Sequence, residues 1–496
     1  MKLRNLVQGF GAAILIMILR VWPHLSRYHP AIYHSFLPMQ SVVWGVLIDL
    51  AALSLLAALL FSYLEKRETG LRTAVWAFVA AELASALVIA GEGMRRAPIP
   101  YLSTSRAYIL TLLATLALRW LWPLGYRNAV RGLGVLLALL GCSMVWMIPQ
   151  LLYQGLRTQR TDAAVPVAHA AVADDPKAGQ GRIVWFLFDE LSYDQTFEHR
   201  FSGLALPAFD SFKSKSVVFS NLQPAGYYTD RVIPSFLLGK TVDNIRSTLD
   251  GDPIVNLHGK PWQAFDPHAT IFADAQRLGW TTGVVGWYNP YCRILAETLN
   301  YCYWRMGDGQ SDGALPDHSA LQNAVVPLTE QLREIQREPG FAQLKHAQDL
   351  TAFMPKAEAL LRDESIDFAF IHLPVPHPPG IYDRKTGRLG TGSYIDNLAL
   401  ADRSLAELME VLNATAMAPR TTVIVCSDHS WRVPLWRTAA WTKEDEAASH
   451  GRFDPRPVLM IHYPGEEDGH IVTEPFPSLG IHDIIEGMLR GHESFP

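Results

Sequence analysis

Five short stretches of this 496-residue chain carry side chains that could do chemistry together. In "AGYYTDRVIPSFLLGK", Thr229, Asp230 and Arg231 stand ahead of an apolar run that reads as the first turns of a helix. Thr229 is there either as a helix cap, worth about 1 kcal/mol, or as a nucleophile. In "FDELSYD", Asp189 and Glu190 directly follow an apolar run. Two carboxylates at one strand end repel each other unless a cation or hydrogen-bond donors offset them, and a divalent metal does so economically; a helix cap or a solvated turn is the ordinary alternative. In "VIVCSDHSW", Asp428 and His429 set a carboxylate beside an imidazole, ligand types suited to zinc or manganese. "DFAFIHLPVPHPPGIYDR" holds His377 among prolines that cannot donate backbone hydrogen bonds, a rigid setting for a leaving-group acid or an anion-binding donor, whereas His372 reads as a packed or hydrogen-bonded residue. In "SHGRFDPRPVLMIHYPG", His450 and Arg452 precede another apolar run, and Arg452 is either a fork for phosphate oxygens or surface charge.

The elements that must position these residues are legible from residue 182 onward. "RIVWFLF", "TTGVVGW", "DFAFIHL", "TTVIVCS" and "PVLMIHY" read as buried strands. Between them, "ATIFADAQRLGW" and "SYIDNLALADRSLAELMEVLNAT" carry apolar residues at three and four spacing, as amphipathic helices do. Strands alternating with helices imply a mostly parallel sheet with helices on both faces, and ligands bind such sheets beyond the carboxyl ends of the strands. Three strand ends with acidic or imidazole groups, together with the Thr229 loop, therefore converge on one region.

The first third of the chain is of another kind. Hydrophobic residues make up 49% of the whole, and they concentrate in Ser41–Leu64, Thr73–Gly91, Ala107–Trp122 and Gly132–Leu152, with Leu6–Trp22 as a weaker fifth segment. Each comes near the roughly 20 residues that a bilayer core needs. The first could also be a signal peptide, although no small-residue cleavage site follows it. Residues 1–152 hold 13 Lys and Arg against 5 Asp and Glu, a net +8, which leaves −13 on the remainder of a chain of net −5. Lys2 and Arg4, then Lys66, Arg67 and Arg72, then Arg127 and Arg131 mark alternate span ends and fit a cytoplasmic N-terminus, with Arg95, Arg96 and Arg106 running against that pattern. Expected domains are a five-helix transmembrane region over 1–152, a linker over 153–181 rich in Ala, Asp, Pro and Gly, and an outer α/β domain over 182–496. The acidic outer part speaks against nucleic acid as a partner. Asp49 and Glu82 lie inside spans, where charge is costly, and so should face other helices or a water-filled cleft. Cys142 and Cys426 read as packing residues. Cys292 and Cys302, ten apart, form a bridge or remain two buried thiols.

With these motifs in hand, the chain resembles the alkaline phosphatase superfamily, in its sulfatase-like branch with the membrane phosphoethanolamine transferases and lipoteichoic acid synthases. The resemblance covers roughly residues 183–490. "FDELSYD" is similar to the sulfatase opening "DDLGYGD", which puts Asp189 and Glu190 on its two metal-binding acids. "TVIVCSDHSW" is similar to "TLVIFTSDHGE" and puts Asp428 and His429 on metal ligands. "RPVLMIHYPG" is similar to the segment after the family's active-site histidine, for which His450 is the candidate. "TDRVIPSFLLG" is similar to "CxPSRxxLLTG", with Thr229 at the nucleophile position ten residues before Gly239. The lipid-linked transferases have Thr there in a pattern like "TxxSxP", from which Val232 departs. Sulfate-ester hydrolases need Cys or Ser, so the Thr favours phosphoryl chemistry.

The resemblance implies one divalent ion held by Asp189, Glu190, Thr229, Asp428 and His429. Zinc or manganese suits that set best, and magnesium or calcium is open. Thr229, His377 and His450 become the expected catalytic residues, with His377, His450 and Arg452 binding substrate. The expected function is transfer of a phospholipid head-group phosphate, such as phosphoethanolamine or phosphoglycerol, to an envelope glycan or lipid. The site would then lie on the outer face of a bacterial inner membrane. A phosphodiesterase or phosphatase using water, and a non-catalytic envelope-binding relative, are the alternatives.

Overall fold

The computed structural model describes residues 2–18, 21, 28–29, 40–65, 67, 69–95, 104–156, 181–248, 253–305, 318–335, 341–437 and 440–491. The chain divides into two compact units: Met1–Arg27, Pro38–Gln159 and Gly313–Thr329 form one, and Tyr28–Leu37, Arg160–Asp312 and Glu330–Pro496 the other. Most of the expected linker, residues 157–180, lies outside the described residues, as do residues 22–27, 30–39 and 96–103 between the apolar segments.

The first unit contains α1 (Leu3–Ile16), α2 (Gln40–Leu64), α3 (Gly70–Arg95), α4 (Thr104–Leu121), α5 (Pro123–Cys142) and α6 (Met144–Leu156). Three stretches among the described residues are long and apolar enough to cross a membrane: Gln40–Leu64, Gly70–Val88 and Pro123–Tyr153. Of the five expected spans, three segments meet this measure among the described residues. At 14 residues, α1 reaches only about 21 Å against a hydrocarbon core of about 30 Å, and α4 carries Arg106 and Arg119 near its two ends. Glycines let the helices approach closely. A Cβ on Gly11 would fall 1.9 Å from the Leu137 carbonyl oxygen, and one on Gly141 1.9 Å from that of Val7. Asp49 is buried in this unit. Its sequence-distant part joins α2 through Asn323, which donates to Ser41 Oγ at 3.1 Å.

The second unit is built on an eight-stranded sheet. Its strands are β1 (Arg182–Phe188), β2 (Val217–Phe219), β3 (Thr282–Trp287), β4 (Tyr301–Arg305), β5 (Phe368–Leu373), β6 (Thr421–Cys426), β7 (Leu459–His462) and β8 (His470–Val472), in the order β8-β2-β7-β6-β1-β5-β3-β4. β6, β1, β5, β3 and β4 run parallel, and β7 is antiparallel to both of its neighbours. All five strands read from sequence are present. Because side chains alternate across a strand, β1 sends Ile183, Trp185 and Leu187 into one core and Val184, Phe186 and Phe188 into the other. The first core is closed by α7 (Thr229–Leu238), α8 (Ile271–Arg277) and α11 (Ile481–Leu489) through Phe236, Phe272 and Ile485. The second is closed by α9 (Phe341–Arg362) and α10 (Tyr394–Asn413) through Phe353, Leu360, Leu398 and Leu405. Ser393 starts α10 with a capping box to Asp396. Cys292 and Cys302 form a disulfide that ties the loop after β3 to β4. Cys426 is buried, and Trp185 Nε1 donates to its Sγ at 3.0 Å.

Candidate active site

β1 and β6 are adjacent and parallel, so their carboxyl ends deliver Asp189 and Asp428 to the same place. Both carboxylates are buried, as are His429 and Thr229. Thr229 opens α7, but the N-cap position belongs to Tyr228, and no side chain caps this helix. The Thr229 hydroxyl instead lies 3.2 Å from His429 Nε2 and 3.5 Å from Asp189 Oδ2. The cap reading of Thr229 therefore fails: its oxygen faces the cluster and not its own helix.

Hydrogen-bond logic fixes the character of this cluster. His429 Nδ1 is 3.1 Å from the carbonyl oxygen of Ser430, which can only accept, so Nδ1 carries the proton and Nε2 presents a bare lone pair. That lone pair faces Asp428 Oδ2 at 3.1 Å and Asp189 Oδ1 at 3.9 Å. Burial, with Arg432 second, lowers the His429 pKa to about 3, which keeps the ring neutral. Burial, then Asp428 and Glu190, push the Asp189 carboxyl well up. Asp189 Oδ1 and Asp428 Oδ2 are buried with no hydrogen-bond partner among the described residues. One ligand atom from each of Asp189, Asp428 and His429 falls within 4.8 Å of the others. Lone pairs crowded against lone pairs in a dry site are what a cation relieves, so these residues fit a divalent metal.

Glu190 departs from its expected place among the ligands. Its backbone is left-handed, with φ 65°, and its carboxylate faces the loop after β6. There Oε1 accepts from the Arg432 backbone N–H at 3.2 Å and from the Arg432 guanidinium, and Oε2 accepts from Trp436 Nε1 at 2.7 Å. Its carboxylate lies 3.8 Å from His429 Nδ1, and its backbone N–H donates to Asp428 Oδ1 at 3.2 Å. It balances Arg432. Glu190→Gln should cost about 3 kcal/mol of stability by leaving a largely buried guanidinium short of its partner, and denaturant titration reads this. A variant as stable as the parent would remove that assignment.

His377 is brought to the same region, held between Trp287 and Trp436 at ring-centroid distances of 5.2 and 5.1 Å. Its Nε2 accepts from Arg432 Nη2 at 3.3 Å. Burial, then Arg432 and His346, hold its pKa well below the usual value, so it is neutral near pH 7. His450 and Arg452 are not joined to the cluster by any described contact: both are exposed, and His450, at φ 49°, is the C-cap of the short helix Lys443–Ser449. A left-handed cap turns there because the chain must leave the helix before β7.

Sequence reasoning missed two contributors. Arg432 supplies the positive charge beside the acids, and its place four residues after Asp428 was the available signal. His372, expected only to pack or hydrogen-bond, lies near the end of β5 with Nε2 3.4 Å from Asp189 Oδ2. Asn289 donates to Tyr291 Oη at 3.4 Å, and Tyr291 Oη lies 2.8 Å from His372 Nδ1. With the phenol donating to Nδ1, the His372 proton sits on Nε2, toward Asp189. The loop "GWYNPYC" thus holds the site through aromatic and hydroxyl contacts.

No protein-family model matches the chain, and no curated protein matches it either. Solved structures similar to it include the PsFucS1 sulfatase from Pseudoalteromonas sp., at 11% identity over 64% of this chain and 69% of that one, with a TM-score of 0.44. The phosphonate monoester hydrolase of Agrobacterium radiobacter has 12% identity over 63% and 74%, with a TM-score of 0.38. The lipoteichoic acid synthase LtaP from Listeria monocytogenes has 11% identity over 64% and 75%, with a TM-score of 0.39. At this level of likeness, the chemistry has to be read from the side chains themselves.

Proposed function

We propose that the chain is a membrane-anchored, metal-dependent phosphotransferase of the sulfatase-like kind, with Thr229 as its nucleophile. The observation that carries the reading is the Thr229 hydroxyl turned away from its helix and into a buried Asp189–Asp428–His429 cluster with unpaired lone pairs. A divalent ion, zinc or manganese by ligand type, would favour the alkoxide of Thr229 and screen an approaching phosphate. Thr229 Oγ attacks phosphorus of a phosphodiester, and the bond to the lipid alcohol breaks as that alcohol takes up the proton that the Thr229 hydroxyl gives up. The head-group phosphate is left esterified to Thr229 until an acceptor hydroxyl attacks and frees the threonine. Arg432 and the first turn of α7 offer the phosphate oxygens positive charge and backbone N–H groups. His377, neutral and already accepting from Arg432, orients that guanidinium.

A phospholipid donor, a glycan or lipid acceptor, and placement of the α/β unit outside a bacterial inner membrane belong to this proposal. They rest on the apolar helices and on the motif resemblance. Product analysis tests it against hydrolysis. Incubation with a phospholipid donor should give a phosphorylated Thr229 peptide by mass spectrometry, and a head-group phosphate product only when an acceptor alcohol is supplied. Release of free phosphomonoester at the same rate without acceptor would establish a hydrolase instead.

A further inference from the structure

The helical unit carries an open cavity of about 630 Å³ lined by both basic and apolar side chains. Arg4 of α1, Arg72 of α3 and Arg131 of α5 line it, and Glu65, just past α2, is the acid among its lining residues. Glu65 also binds Lys2 and Arg4, each at 2.7 Å, so the basic side chains here outnumber the carboxylate that two of them share. They share one end of the bundle. Gln8 donates to the Gly134 carbonyl at 2.8 Å, which sets the start of α1 beside Arg131, and Asn5 donates to Ser62 Oγ at 3.1 Å, which brings the end of α2 there too. From Arg131 the same face of α5 continues as Val135, Leu139 and Cys142, which line the cavity on its exposed side. Eleven residues of helix rise about 16 Å, close to half of the roughly 30 Å hydrocarbon core.

We infer that this cavity binds one anionic phospholipid, with its phosphate at Arg4, Arg72 and Arg131 and an acyl chain along Val135, Leu139 and Cys142. The charge favours an anion, and the exposed apolar strip of Val135, Leu139 and Cys142 beyond the guanidiniums favours a lipid over a free phosphate, which would leave that strip uncovered. The site is separate from the Thr229 chemistry proposed above and would stand if that chemistry failed.

The full chain, delipidated in mild detergent, is offered phosphatidylglycerol or phosphatidylcholine, and bound lipid is counted by native mass spectrometry. One phosphatidylglycerol should be retained, with at least about tenfold preference over phosphatidylcholine. Arg131→Gln and Arg4→Gln should each weaken retention about fivefold, while Arg131→Lys, which keeps the charge, retains most of it and shows that the fold survives. Leu139→Trp should block retention with every charge in place. Equal retention of the two lipids, unchanged binding in Arg131→Gln, or full displacement of phosphatidylglycerol by inorganic phosphate would each overturn the assignment.

Discussion

Thr229→Ala should lower turnover by at least about 10⁴-fold, the loss expected when a nucleophile's own oxygen is removed, and should abolish the phosphorylated peptide. The loss should not come from unfolding. Thr229 caps nothing and makes only two long contacts with the cluster, so its removal should change stability by about 1 kcal/mol or less. Thr229→Ser restores the oxygen without the methyl and should recover much of the rate, which separates a chemical role from a packing one. Steady-state kinetics on folded, metal-replete variants checks this. Residual activity in Thr229→Ala within tenfold of the parent would mean that the group is transferred by another residue, and the proposed mechanism would fall.

Stripping the metal should have the second largest effect, and its sign is set by the acids. In the metal-free protein, burial and neighbouring carboxylates raise the Asp189 pKa well above its ordinary range, and burial raises that of Asp230 to about 6. An acid whose folded value exceeds its unfolded value of about 3.9 holds its proton longer in the native state, so stability is full below pH 4 and falls as pH rises through the folded value. For Asp230 alone the fall between about pH 4 and pH 6 is about 3 kcal/mol at most. The metal-free protein should therefore lose denaturation temperature over that window. Zinc or manganese at about 1,000 times its Kd should return about 4 kcal/mol, with proton release on binding because the raised Asp189 carboxyl must ionise to ligate. Asp428→Asn should lose most of that metal-dependent gain, whereas Glu190→Gln should keep it. Calorimetry in two buffers of different ionisation heat reads the proton release, and a metal-independent melting curve across pH 4–6 would contradict the site.

Much of the second unit was legible in its sequence because burial on both faces writes continuous apolar runs. "RIVWFLF" and "TTVIVCS" could hardly be anything but central strands, and the polar residues that follow them had to sit at the sheet's carboxyl edge. Local pattern could go that far because strand direction and period are local properties. It could not say which way a strand-end side chain points. Glu190 is adjacent to Asp189 in sequence but leaves the cluster, because a left-handed backbone and a guanidinium 242 residues away decide its direction. His450 reads as an active-site histidine until the helix before it is seen to need a left-handed cap.

In the helical unit, hydropathy marked the apolar segments, three of which are long and apolar enough to cross a membrane among the described residues, and the joining of Asn323 to α2 had no local signature. The sequence alone determined which residues were available for chemistry and which edge of the sheet would carry them. The tertiary structure decided which of them share a cation-sized space. Partner choice there depends on distances of a few ångströms between strands, and no periodicity along the chain encodes those distances.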